Sequence, residues 1–191
     1  MSTDLTLTED TAGELFWQWS LQLYGHSDVK DRLLILQNRY QYDVNIVLWC
    51  LWTAVMGWRL QDDDVASITA TVDDMANYVV RRIREIRVYI TTPKAHFPDR
   101  PLRLLRDHLL TSELMGEKMI QERLARETVQ RLGTPNAKDW AMDALASLHF
   151  NLVSERQPLA WLSAQNPSHE TPHTLFAGVV AAAQQEPAHD G

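Results

Sequence analysis

Cysteine is nearly missing from this 191-residue chain: Cys50 is the only one. That excludes an internal disulfide and a thiolate metal cluster, and it suits a reducing compartment. Glycine and proline are also few, at seven and eight, and the prolines concentrate late. With so few breakers, the body of the chain is expected to be helical. No apolar run reaches the roughly 20 residues a spanning helix needs. The longest, Val44 to Trp58, is interrupted by Asn45. The opening MSTDLTLTED is acidic and lacks the basic start and apolar run of a secretion signal, so a cytoplasmic location is expected. Period-two alternation is absent, as are internal repeats, a Gly-rich phosphate loop, a G-x-S-x-G elbow and a paired-Cys motif. The length fits one domain, and an apolar share of 45% is enough for a core without staples.

What the chain does have is tryptophan. Five of its seven lie between Glu14 and Leu60, and such large rings mark a packing centre. Thr11 with Glu14 has the spacing of a capping box, and the first helix should stop at Gly25. A second helix starts at Ser27. Asp43 reads as the N-cap of a third, whose Val44, Leu48, Leu51 and Val55 keep helical spacing. This third helix is apolar nearly all round and should be central. Beyond the polar break at Gln61 to Asp64, a short helix is expected over 65–71. A long amphipathic one follows over 72–91, with Val72, Met75, Val79, Ile83, Ile86 and Ile90 in register. Pro93 and Pro98 bracket a loop. Asp99 and Pro101 begin a helix that runs to Leu132, with Gly116 as a place to bend. A last clear helix covers 138–155, and Thr174 to Gln185 can form a short one. The expected fold is all-α: an antiparallel bundle of five to six helices over 11–156. A tail over 157–191 is then weakly ordered or docked by a short helix.

Charge is unevenly distributed. The formal total is −7. From Arg81 to Arg106 eight basic residues (Arg81, Arg82, Arg84, Arg87, Lys94, Arg100, Arg103 and Arg106) face only Glu85 and Asp99, a surplus of six. The remainder of the chain must therefore carry −13. If the flanking helices are antiparallel neighbours, these cations gather at one end of the bundle. There they could bind an anionic ligand, an acidic surface or a partner protein. The plainer account is that cations near a helix C-terminus complement its dipole and stay solvated. Tyr89 and Phe97 are the only aromatics in the window, too few to stack single-stranded bases. An acidic chain is not drawn to nucleic acid as a whole.

Other constellations carry less. Asp62, Asp63, Asp64, Asp73 and Asp74 offer oxygens to a hard cation, but their spacing fits no metal loop. His169 and His173 stand four apart with Pro172 between them, which spoils the helix a zinc pair needs. Cys50, among Trp49, Leu51 and Trp52, reads as core. No metal and no cofactor is expected. Gln37, Asn38, Asp43 and Asn45 are polar residues in an apolar neighbourhood, at the junction of the second and third helices. Capping and register explain them. They could instead form a pocket floor, with Trp17, Gln37, Asp43, Asn45, Trp49 and Trp52 around it.

The string Phe16-Trp17-x-x-Ser20-Leu21-x-Leu23-Tyr24, then Leu36-Gln37, then Asp43-Val44-Asn45-x-x-Leu48-x-Cys50-x-Trp52, resembles a proteobacterial family of small uncharacterised helical proteins carrying a domain of unknown function. The resemblance covers 14–130 and implies a soluble bacterial helical protein, with no activity, cofactor or catalytic residue to carry over. The expected function is a non-enzymatic interaction or regulatory module that uses the basic helix-loop-helix end on another protein. The alternative is a small-molecule binder or enzyme with its pocket near Asp43 and Asn45. Oligomeric state is not written in the sequence.

Overall fold

The structure, a computed structural model, describes residues 7–135, 144 and 171–184. Among these the chain is all-α, with seven α-helices. They are α1 (Glu9–Tyr24), α2 (Ser27–Tyr40), α3 (Val44–Val55), α4 (Asp62–Thr69), α5 (Arg81–Tyr89), α6 (Asp99–Leu132) and α7 (Pro172–Ala183). A π-helical segment, Met75–Val80, runs directly into α5. The count corrects the expected five to six, because two short helices belong to the packed body. α4 buries Val65 and Ile68, and α7 buries five of its twelve residues. The expected helix over 138–155 and most of the tail, Trp161 and His169 included, lie outside the described residues.

Local chemistry sets most helix ends. Asp43 caps α3 by accepting from the Asn45 N–H at 2.8 Å. The first cap is Thr8 and not Thr11: the two threonines form a reciprocal capping box, so α1 begins three residues earlier than expected. α2 ends on Gln41 in the left-handed region, at φ 61°. The expected long helix over 72–91 is divided, since the backbone widens to π spacing over Met75–Val80 before returning to α.

α3 is the central helix, with every residue from Val47 to Ala54 buried. Its Trp52 stacks on Phe16 of α1 (centroids 5.0 Å) and leans on Trp58 (5.6 Å). The rings still satisfy their polar atoms. The Trp49 indole N–H donates to Thr128 Oγ1 at 2.8 Å, and that of Trp58 to the Gly133 carbonyl at 2.9 Å.

α6 is a strut 34 residues long. Its second half packs on α1 and α3 through Ile120, Leu124, Ala125 and Thr128. Its first half, from Asp99 to Ser112, buries nothing, and neither does α5. These two stretches form an antiparallel hairpin that stands off the core. Gly116 lies where the π-helical segment crosses α6. A Cβ there would sit 2.7 Å from Val80 Cγ2, so only glycine permits the approach. The glycine serves close packing, and α6 continues through it as one helix.

α7 docks on α2. Phe176 meets Tyr42 edge-on at 5.3 Å, and Gly178 lies against the Arg32 guanidinium.

Candidate functional site: the grooves beside Arg84 and the α5–α6 hairpin

The Asp43 cap starts α3 so that Asn45 points inward. Asn45 is 5% exposed. Its Oδ1 accepts from Gln121 Nε2 at 3.0 Å, and Gln121 Oε1 accepts from Ser20 Oγ at 2.9 Å. This polar ladder ties α3 to α6 and α1 across the core. Among the described residues the Asn45 amide nitrogen has no partner and opens onto the grooves on either side of Arg84.

Beside the ladder lies a cluster of charges. Arg84 Nε donates to Glu113 Oε1 at 2.7 Å, and Arg84 Nη2 donates to Glu117. Arg87 donates to both oxygens of Glu113. Burial works to raise the Glu113 carboxyl, but the hydrogen bonds from Arg87 and Arg84 outweigh it and hold the group below the usual range. Glu117 goes the other way: burial lifts it, and repulsion from Glu113 adds to the lift despite Arg84. Asp43 lies close enough for its charge to act on both Arg84 and Glu117.

Two grooves open on either side of Arg84. One, of about 670 Å³, runs between the α2–α3 junction and the π-helical segment with α5. Gln37, Asn38, Gln41, Asp43 and Asn45 form its polar wall, and Ala76, Val80, Val88 and Tyr89 its apolar wall. The other, of about 390 Å³, lies between α1, α2 and α6 and is lined by Trp17, Leu21, Tyr24, Leu110 and Leu114. Gln37, Asn45 and Arg84 face both. Two regions the sequence kept apart, the polar junction and the basic helix, thus meet. Of the residues suggested for a pocket, Gln37, Asp43, Asn45 and Trp17 line these grooves. Trp49 and Trp52 lie in the core and line neither.

The basic residues do not act as one patch. Arg84 and Arg87 turn inward to carboxylates, while Arg81 lines the larger groove. Lys94 sits over the Tyr89 ring at 3.5 Å. Arg103 and Arg106 line a small depression at the hairpin end, and Arg100 is exposed. Sequence reasoning missed Glu113 and Glu117, although their four-residue spacing places them on one face of a long helix. It also missed the apolar surface of the hairpin: Tyr78, Ile86, Tyr89, Phe97, Leu104 and Met115 are each more than half exposed.

Residues 15–124 match a family model described as a protein of unknown function, DUF2390. The chain belongs to that family. The DUF2390 span runs from α1 into the second half of α6, so it contains both grooves and the whole hairpin, and it stops before α7. No curated protein and no solved structure matches the chain. Among the described residues of this DUF2390 member, no helix is long and apolar enough to cross a membrane. No group of three or more His, Cys, Asp or Glu is placed among them to hold a metal ion.

Proposed function

We propose that this DUF2390 protein is a non-enzymatic interaction or regulatory module that grips an acidic, apolar-faced segment of another protein with its α5–α6 hairpin. The observation that carries this reading is the hairpin surface. α5 buries none of its residues, yet Ile86, Val88 and Tyr89 on it, and Leu104 and Leu105 opposite, are apolar and exposed. Large apolar side chains left exposed on two helices that pack together suit an interaction site. The charges beside it, Arg81, Arg100 and Arg103, have no ion-pair partner among the described residues. A second copy would bring cations against cations, so an acidic protein segment is the better occupant. The same reading takes 11–156 as the bundle and 157–191 as an appended tail. It places the protein in the cytoplasm of a proteobacterium, where its single thiol stays reduced.

The test is photo-crosslinking from position 104 in the full chain, with the attached peptide sequenced. The expected product carries Asp and Glu flanking apolar residues. It should disappear in the Arg81→Glu/Arg100→Glu/Arg103→Glu variant and fade at high salt. Crosslinks that survive the charge reversal, or that join two copies of this chain, would refute the assignment.

A further inference from the structure

We propose that the larger groove is a binding site for an uncharged small molecule with a lactam or primary-amide edge, read by Asn45 and Gln37. The groove shares Arg81, Val88 and Tyr89 with the hairpin surface, but the reading rests on Asn45 and Gln37, which the hairpin contact does not use.

Its size is the first support. About 670 Å³ lies within the range of small-molecule sites, roughly 300–1,000 Å³. So does its character, an apolar wall of Ala76, Val80, Val88 and Tyr89 facing a few placed polar groups. Asn45 is the second support. It is 5% exposed and bound on its oxygen side by Gln121, yet its amide nitrogen faces the groove without a partner among the described residues. Polar side chains buried this deeply are normally satisfied, and a half-satisfied one at a groove wall marks where a ligand atom belongs. The hydrogen bond from Gln121 Nε2 holds the Asn45 oxygen inward and leaves the nitrogen on the groove side. The exposed nitrogen donates, so the ligand atom opposite it is an acceptor.

Gln37 lines the same groove, and its side-chain amide has no partner among the described residues. It supplies both an acceptor and donors. A carbonyl beside an N–H is the ligand edge that answers both residues together. The charges favour neutrality. The Arg84 guanidinium is balanced by Glu113 and Glu117, and Glu85 is paired with Arg82 at 2.8 Å. Arg81 and Asp43, both lining the groove, contribute charges of opposite sign. Ala76 and Val80 of the wall opposite the amides lie in the π-helical segment, a geometry frequent at functional sites. Gly116 is the concession in α6 that lets this wall sit where it does.

The experiment uses the full chain with uridine, nicotinamide and N3-methyluridine as probes, read by saturation-transfer NMR and calorimetric titration. Uridine or nicotinamide should bind. N3-methyluridine, whose N–H is blocked, should bind about tenfold more weakly than uridine. Asn45→Asp keeps the acceptor for Gln121 but replaces the donor, and should weaken binding about tenfold or more. Gln37→Leu removes a half-buried side chain with no hydrogen bond to the other described residues, so it tests the site with folding intact even if Asn45→Asp is destabilised. No saturation transfer from either unblocked probe at millimolar concentration would overturn the proposal. Equal binding of the methylated probe, or wild-type binding by the Gln37→Leu protein, would overturn it as well.

Discussion

Arg84 of α5 and Glu113 of α6 are joined at 2.7 Å, and Glu113 is the most deeply buried carboxylate in the cluster they share with Arg87 and Glu117. The pair fastens the hairpin to itself where it leaves the core. It also explains why the sequence window rich in arginine is less positive at its surface than its composition implies. Two of its eight cations are matched by acids from a helix that begins later in the chain.

The two glutamates should respond to pH with opposite sign. The carboxyl of Glu113 is held below its usual value, so its stabilising contribution is present above the unfolded value, 4.5. That contribution is lost as the pH falls through the lower, folded-state value. Glu113→Gln should therefore cost about 2–4 kcal/mol at pH 7, toward the low end for a broken buried pair because both arginines keep some water contact. The cost should shrink in acid. Glu117 is raised by burial, so the folded protein holds its proton more tightly than the unfolded chain does, and stability falls as pH rises from 4.5 through the folded value. Glu117→Gln should gain stability relative to wild type over that same rise. Urea denaturation across pH 3 to 8 would show both trends. Parallel pH profiles for the two variants would contradict them.

Gly116→Ala tests the crossing of α6 with the π-helical segment. Alanine favours a helix by about 1 kcal/mol, but its methyl would meet Val80 Cγ2 at 2.7 Å. A net loss of about 1–2 kcal/mol is expected, since overpacking outweighs propensity. In a Val80→Ala background the same change should be neutral or stabilising. A double-mutant cycle in denaturant gives the coupling, and additivity would show that the contact is loose.

Cys50 should be silent to reagents. Burial pushes its thiol up to about 12, and the residue is inaccessible. Ellman's reagent should find no thiol in the native protein at pH 8 and one per chain in denaturant. Fast labelling of the native state would mean that α3 opens.

The central helix was legible because its apolar residues run all the way round and Asp43 announces its start. The long helix ending at Gly133 was legible from its proline start and glycine stop. The first cap was misplaced by three residues because Thr8 and Thr11 are both good caps, and only their mutual hydrogen bonds choose between them. The π-helical segment left no trace in the sequence pattern, and its last residue, Val80, meets Gly116 across the fold, a contact local periodicity does not report. Of the grooves, Gln37, Asp43 and Asn45 could be found as polar residues out of place. Glu113 and Glu117 are ordinary on a long helix until Arg84 is seen opposite them. The tryptophans pointed correctly to the core, and for that reason Trp49 and Trp52 are absent from the groove walls.

The seating of α7 on α2 bears on how the protein is made. α2 leaves the ribosome well before Leu175, Phe176 and Val179, which it packs against. That face of α2 must wait, uncovered, while the residues between the two helices are made. The waiting interval is a window in which a chaperone can engage the nascent chain, and in which a chain that stalls or is cut short before residue 172 exposes a sticky surface the finished protein never shows.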